Sequence, residues 1–363
     1  MLASIALDMD ALAPSTVDDP AVLRVHHRRL LEILARHGVV LLDSSVTDSV
    51  ALIHMMPNNI GKLWEIYQSN LFFEPSNTPV PCISSIQCIS DIDKHWGTRT
   101  DVCVVETTRA FEFGVKSGSA SSMSPQGVEI VRFDLVDESS IIQRLDALST
   151  ATTTKGTTRD KLWEDRFKPI IKRAKRVTIC DRFAGVQLAE FYNPQSNRGG
   201  GSESGLRWFL NRVDQCPKTI VEVITGVKPY SDNANHRLDS IACAFKRLRG
   251  EMNGGISTLM LTLIPDRFFS DNAHDRHIRI DESRIFTLGD GTAIFSTKNI
   301  SQSYECNYVV RKYGENDQIN DLDGYNSRKA RETALTKNAL SGFVRATICG
   351  VTQGMTQVTG NQT

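Results

Sequence analysis

Short apolar runs alternate with amphipathic helical segments along most of this 363-residue chain, and that alternation limits its fold more than any other feature. The first run, SIALDMDAL, is followed by DPAVLRVHHRRLLEILARHG, whose apolar residues recur at helical spacing, then by VVLLD and a helical stretch at DSVALIHMM. Gly38 falls where a helix C-terminus favours glycine, directly before the next strand. VEIVRFDLV reads as a further strand and ESSIIQRLDAL as a short helix, so the pattern predicts an α/β domain over residues 1–150. The polar, threonine-rich STATTTKGTT, residues 149–158, breaks the periodicity and marks a domain boundary. The pattern then restarts: helix RDKLWEDRFKPIIKRAK, strand RVTICDRFA, helix GLRWFLNRVDQ, strand TIVEVITGV, helix HRLDSIACAFKRLRGEM and strand STLMLTLIP. Two more strands, HIRI and RIFTLG, follow with no room for a helix between them, so parallel β-α-β units ending in a hairpin are expected, a second α/β domain with a mixed sheet over 158–315. Residues 316–363 are polar, and one helix with a frayed end is expected there.

Lysine plus arginine and aspartate plus glutamate both number 42, so any surface for an anionic partner must be local. KRLRGEM and FKPIIKRAKR are basic helical faces, which read as solvated surface or as contacts for nucleic-acid phosphates. The eight cysteines include no CxxC pair and mostly lie in apolar stretches, which favours reduced, buried thiols over a zinc site. The N-terminus lacks a basic segment and carries Asp8 and Asp10 early, and no window has the run of about 18 apolar residues that a membrane span requires. A cytoplasmic protein without a transmembrane segment is expected.

Chemistry concentrates in NAHDRHIRIDESRIFTLGDG, residues 272–291. On a strand, His274 and Arg276 share a face. An imidazole can attack phosphorus, and a neighbouring guanidinium can hold the non-bridging oxygens as charge builds. Asp281, at odd separation, reaches such a site only through a turn, a bulge or a partner's site, and Gly289 with Gly291 would let backbone approach a phosphate.

His274, Arg276 and Asp281 followed by Gly289 resemble the HxKxxxxD-plus-glycine motif of the phospholipase D superfamily. The string HDRHIRIDESRIFTLGDG is similar to the "HDR" strand of the phospholipase D-like domains at the C-terminus of MIT-domain proteins and in bacterial relatives. RVTICDRFAG followed by GLRWFLNRV matches their first strand, with its acidic end, and first helix, so the likeness covers about residues 158–312. The resemblance implies a phosphodiesterase or nuclease with nucleic acid or another phosphodiester as substrate. It implies a phospho-histidine intermediate with no cofactor or metal, and, from the bacterial relatives, an effector role in antiviral defence or DNA processing with an ATPase partner.

Arginine stands at the motif's lysine, and the serine and asparagine expected after the glycine are replaced by Asp290, Gly291 and Thr292. The chain holds one copy of the motif, since His26 and Arg28 have its first spacing but no acid follows and they lie on a helical segment. Two-histidine chemistry would therefore require a homodimer. The alternatives are a charged hairpin facing water, as in the MIT-type domains regarded as inactive, or a non-catalytic module that recognises a partner protein or an anionic surface.

A further possibility lies in the first half, where Asp8, Asp10, Glu65 and Asp101 have an order and spacing loosely like those of a PIN-like nuclease, whose carboxylates bind Mg or Mn. Acids at strand ends also serve capping alone. NRGGGSESG resembles a phosphate-cradling loop but lacks the Walker lysine and GxGxxG spacing, so a loop with Ser204 as helix cap is the better reading.

Overall fold

The computed structural model describes residues 1–13, 19–75, 80–150, 152–193, 203–228, 231–233, 236–269, 276–311, 324–340 and 348–349. The chain is α/β and divides into two compact units, Met1–Ser149 and Thr150–Thr363, each built on its own sheet. No helix among the described residues is long and apolar enough to cross a membrane. The seven cysteines with described side chains are free thiols; Cys103, Cys180, Cys216 and Cys306 are buried, Cys82 is half-buried, and Cys88 and Cys243 are exposed.

In the first unit, strands β1 (Ala3–Leu7), β2 (Gly38–Leu42), β3 (Phe72–Pro75), β4 (Val102–Val105), β5 (Ser121–Met123) and β6 (Glu129–Arg132) are ordered β3-β2-β1-β4-β6-β5. All neighbours are parallel except the antiparallel edge strand β5. The central strands GVVLL and VCVV are buried at every position, as parallel strands covered on both faces must be. Helices α1 (Met9–Leu12), α2 (Pro20–His37), α3 (Ser49–His54), α4 (Asn58–Gln68), α5 (Ile89–Trp96), α6 (Thr107–Glu112) and α7 (Ser140–Thr150) connect the strands. Helix α2 starts with Pro20 after the Asp19 cap, whose carboxylate accepts from the Ala21 and Val22 amides, and it runs straight into β2 at Gly38. A Cβ on Gly38 would lie 2.7 Å from Leu34 Cα, so close approach of the turn requires glycine there. The run VEIVRFDLV, expected as one strand, holds a strand only over Glu129–Arg132 and then coils into a 3-10 turn at Phe133–Glu138, where Asp134 turns back to pair with Arg132.

In the second unit, the expected helix runs without a break over residues 159–171, as α8 (Arg159–Leu162) and α9 (Lys168–Ile171) joined through a π-bulge at Trp163–Phe167. Strands β7 (Arg176–Cys180), β8 (Thr219–Val227) and β9 (Ile256–Pro265) are parallel and alternate with α10 (Ala184–Tyr192), α11 (Gly205–Val213) and α12 (Leu238–Gly250). The hairpin β10 (His277–Ile280) and β11 (Arg284–Leu288) continues into β12 (Cys306–Val310), and β10 pairs antiparallel with β7. Helix α13 (Tyr325–Thr336) follows, and the two-residue strand β13 (Ile348–Cys349) closes the far edge against β9. One sheet face carries Ile179, Ile278 and Phe286 into an aromatic core, with Phe167 4.4 Å from Phe286 between ring centroids. The other face brings Cys180, Ile224 and Ile264 against Phe269 and against Leu335 of α13. The threonine-rich stretch is not a free connector: Thr153 is buried and bridges to Tyr304, and Thr158 bridges to Asn299.

Candidate functional site

The C-terminal end of β7 and the start of β10 meet at one edge of the second sheet, because His277 pairs with Cys180 in antiparallel register. The chain after β7 is fixed tightly. Asp181 is buried, and its carboxylate accepts from the Phe183 amide at 3.0 Å and from the Thr292 amide and hydroxyl at 2.7 and 2.8 Å. It thereby clamps the loop after β11 beneath the end of β7. Gly291 in that loop has φ +62, and a Cβ there would overlap the Asp181 carboxylate, so glycine is required on both counts. The Thr225 hydroxyl accepts from the Gly185 amide, and the Gly226 amide donates to the Arg182 carbonyl, fixing the turn into α10 from the side of β8.

Arg276 and Arg182 stand over this edge, their guanidinium carbons 5.2 and 5.1 Å from the centre of the Phe183 ring. Arg182 is held in a fork with Asp266 at 2.8 and 2.9 Å, and those bonds lower the Asp266 carboxyl below the ordinary range. Arg276 is held more loosely: its Nη1 donates to the Gly289 carbonyl at 3.2 Å and to Asp290 at 3.5 Å, and its side chain stays 21% exposed. A lightly restrained guanidinium on a rigid edge, beside glycine-bearing backbone, can turn its donors to the oxygens of a phosphate.

His274 lies outside the described residues. Asp281 is in the β10–β11 turn at the opposite end of β10 from Arg276, with φ +50, and its carboxylate accepts from the Lys175 and Arg176 amides at 2.9 Å each. Gly289 follows β11 and donates its amide to the Glu305 carbonyl, so Arg276, Gly289 and Gly291 come together and Asp281 stands apart. Of the glycine-rich NRGGGSESG, only residues 203–205 are described, and there Ser204 caps α11 by accepting from the Arg207 amide.

The sequence missed Arg182, Phe183 and Thr292 as edge residues, and it missed a second histidine-arginine pair one step along the same strand. His277 and Arg279 alternate with the buried Ile278 and Ile280 and share the face covered by α13. Arg279 donates to both oxygens of Glu332 at 2.9 and 2.6 Å and to the Thr178 hydroxyl at 3.1 Å, while His277 Nε2 stands 3.5 Å from the same carboxylate. Burial alone would raise the Glu332 carboxyl, but the His277 and Arg279 hydrogen bonds and the Arg279 charge hold it at about 2. The i, i+2 spacing of His277 and Arg279 was visible; nothing local marked Glu332.

In the first unit, the strand order reverses between β1 and β4, and ligands of open α/β sheets favour the C-terminal edge at such a point. Asp8 occupies it. Its amide donates to the Val104 carbonyl, its carboxylate accepts from Asp10, and burial pushes its carboxyl up to about 6 against the pull of the Asp10 and Glu106 amides. Glu106 and Asp134 follow the ends of β4 and β6. Asp10 and Glu65 are exposed on helices, and Asp101 precedes β4 at the opposite edge, where it accepts from the Ser4 amide at 2.7 Å. Among the described residues, no three His, Cys, Asp or Glu side chains are gathered closely enough to hold a metal ion. No family model matches the chain, and comparison with curated proteins finds no match.

Proposed function

We propose that the second unit is a phosphodiester-cleaving domain acting on nucleic acid in the cytoplasm, with His274 as nucleophile and Arg276 as the clamp on the non-bridging oxygens. The observation that carries this reading is the place of Arg276, lightly held at the start of β10 beside the loop that Asp181 pins under β7. In the first step an imidazole nitrogen of His274 bonds to phosphorus while the ester oxygen leaves. That oxygen takes a proton from the His274 of a second copy, since the chain carries one such motif, and water then cleaves the phosphorus–nitrogen bond. An effector role in defence or DNA processing, alongside an ATPase partner, follows from the family resemblance alone.

The test is incubation of the full chain with single- and double-stranded DNA, RNA and a generic phosphodiester in EDTA. Cleavage that survives chelation and disappears in His274→Ala and Arg276→Ala is the expected result. Affinity for these probes that is lost in Arg276→Ala, with no turnover in the unmodified protein, would make the domain a binding module. Cleavage that requires Mg or Mn and survives His274→Ala would transfer the activity to the first unit, a second reading favoured by the buried Asp8 at the strand-order reversal.

A further inference from the structure

We propose that His277, Arg279 and Thr178 form a pocket for a phosphate group, and that in this structure the pocket holds the chain's own Glu332 carboxylate. The donors are those that bind phosphate: a guanidinium fork, an imidazole nitrogen and a hydroxyl on adjacent strands, with His277, Arg279 and Thr178 all buried. Glu332 fills the fork but serves the histidine poorly. Its oxygens lie 2.6 and 2.9 Å from Arg279 nitrogens, whereas His277 Nε2 is at 3.5 Å, and His277 Nδ1 is buried without a hydrogen-bond partner. With its two oxygens on the fork, the carboxylate leaves His277 at 3.5 Å, and a phosphate offers further oxygens for that imidazole.

The helix that brings Glu332 is attached in a way that suits an exchangeable occupant. Helix α13 buries Tyr325, Arg328, Glu332 and Leu335, so half of its buried side chains are charged, in place of the continuous apolar stripe of a permanent core helix. Leu335 alone of its apolar side chains packs into the cluster of Cys180, Ile224, Ile264 and Phe269; other ties are polar, with Lys329 pairing with Glu282 at 3.0 Å and Arg331 donating to the Phe268 carbonyl at 3.1 Å. A phosphate-bearing ligand competes with Glu332 for one fork, and its binding releases α13 from the sheet. This pocket is independent of the cleavage assigned to His274, so absence of turnover leaves it standing.

The experiment is a phosphorus NMR line-width titration of inorganic phosphate with the full chain at constant ionic strength, chloride replacing phosphate in the control. Removal of the internal competitor in Glu332→Gln should tighten phosphate binding by about tenfold or more, because the competent fraction of the pocket rises. The gain should vanish in Glu332→Gln combined with Arg279→Gln. In the unmodified protein, phosphate but not chloride should accelerate amide exchange over residues 325–336. A folded Glu332→Gln that binds phosphate no better than the parent, or a gain that persists in the double variant, would overturn the proposal. If Glu332→Gln does not fold, the exchange measurement decides, and unchanged exchange at saturating phosphate rejects the pocket.

Discussion

Asp8 places a carboxylate where solvent does not reach, and the Asp10 and Glu106 amides, with the charge of Arg109, offset the loss of hydration only in part. Its folded-state value of about 6 lies above its ordinary 3.8, so the stability linked to its protonated form is complete below about pH 4 and is lost as pH rises through 6. Asp8→Asn keeps an acceptor for the Asp10 amide and has no proton to lose. Urea unfolding should therefore find the variant equal to the parent at pH 4 and more stable by on the order of 2 kcal/mol at pH 7.5. A variant that is no more stable at pH 7.5 would mean that the ionised Asp8 is compensated in solution. The site was legible to different degrees for reasons visible at this scale. Arg276, Gly289 and Gly291 could be singled out from local spacing and glycine chemistry, and Arg276 stands just before β10 beside Gly289, whereas Glu332 is 53 residues from Arg279 and sits in a helix whose polar sequence gave no reason to look for a buried acid.

The β10–β11 hairpin shows what Asp281 does as part of an element. With φ +50 it adopts a conformation that aspartate and asparagine tolerate better than most residues, and its carboxylate ties the turn to the backbone entering β7. Asp281→Ala should cost about 2 kcal/mol in thermal or chemical unfolding, through two lost charge-assisted hydrogen bonds and added backbone strain. Asp281→Asn should cost less than half as much. If Asp281 instead reaches the reacting phosphate, Asp281→Asn will abolish turnover without loss of stability, the opposite pattern. The elements themselves were legible where caps and periodicity agree, as at Asp19, Gly38 and the hairpin strands. They were not legible where pairing decides. The short edge strands β3 and β5 carry little pattern of their own, and Thr153 becomes buried only through its bridge to Tyr304.

At the scale of the molecule, the two units each have a sheet and a core, and the chemistry proposed for the second requires a second copy of the chain. Sedimentation at low micromolar concentration should find a dimer; a strict monomer that still cleaves phosphodiesters in EDTA would remove the two-histidine mechanism. The sheet of the second unit also has a timetable. Strand β7 ends at Cys180, but the strand that completes its other side, β10, begins at His277, nearly a hundred residues later. As the polypeptide leaves the ribosome, the first unit has all its strands by residue 132, while β7, β8 and β9 must wait with the β7 edge open until the hairpin emerges. That unpaired β7 edge, bearing Val177 and Ile179, is where newly made chains are most exposed to joining one another, so the rate of synthesis across residues 181–276 sets how long each chain must be shielded.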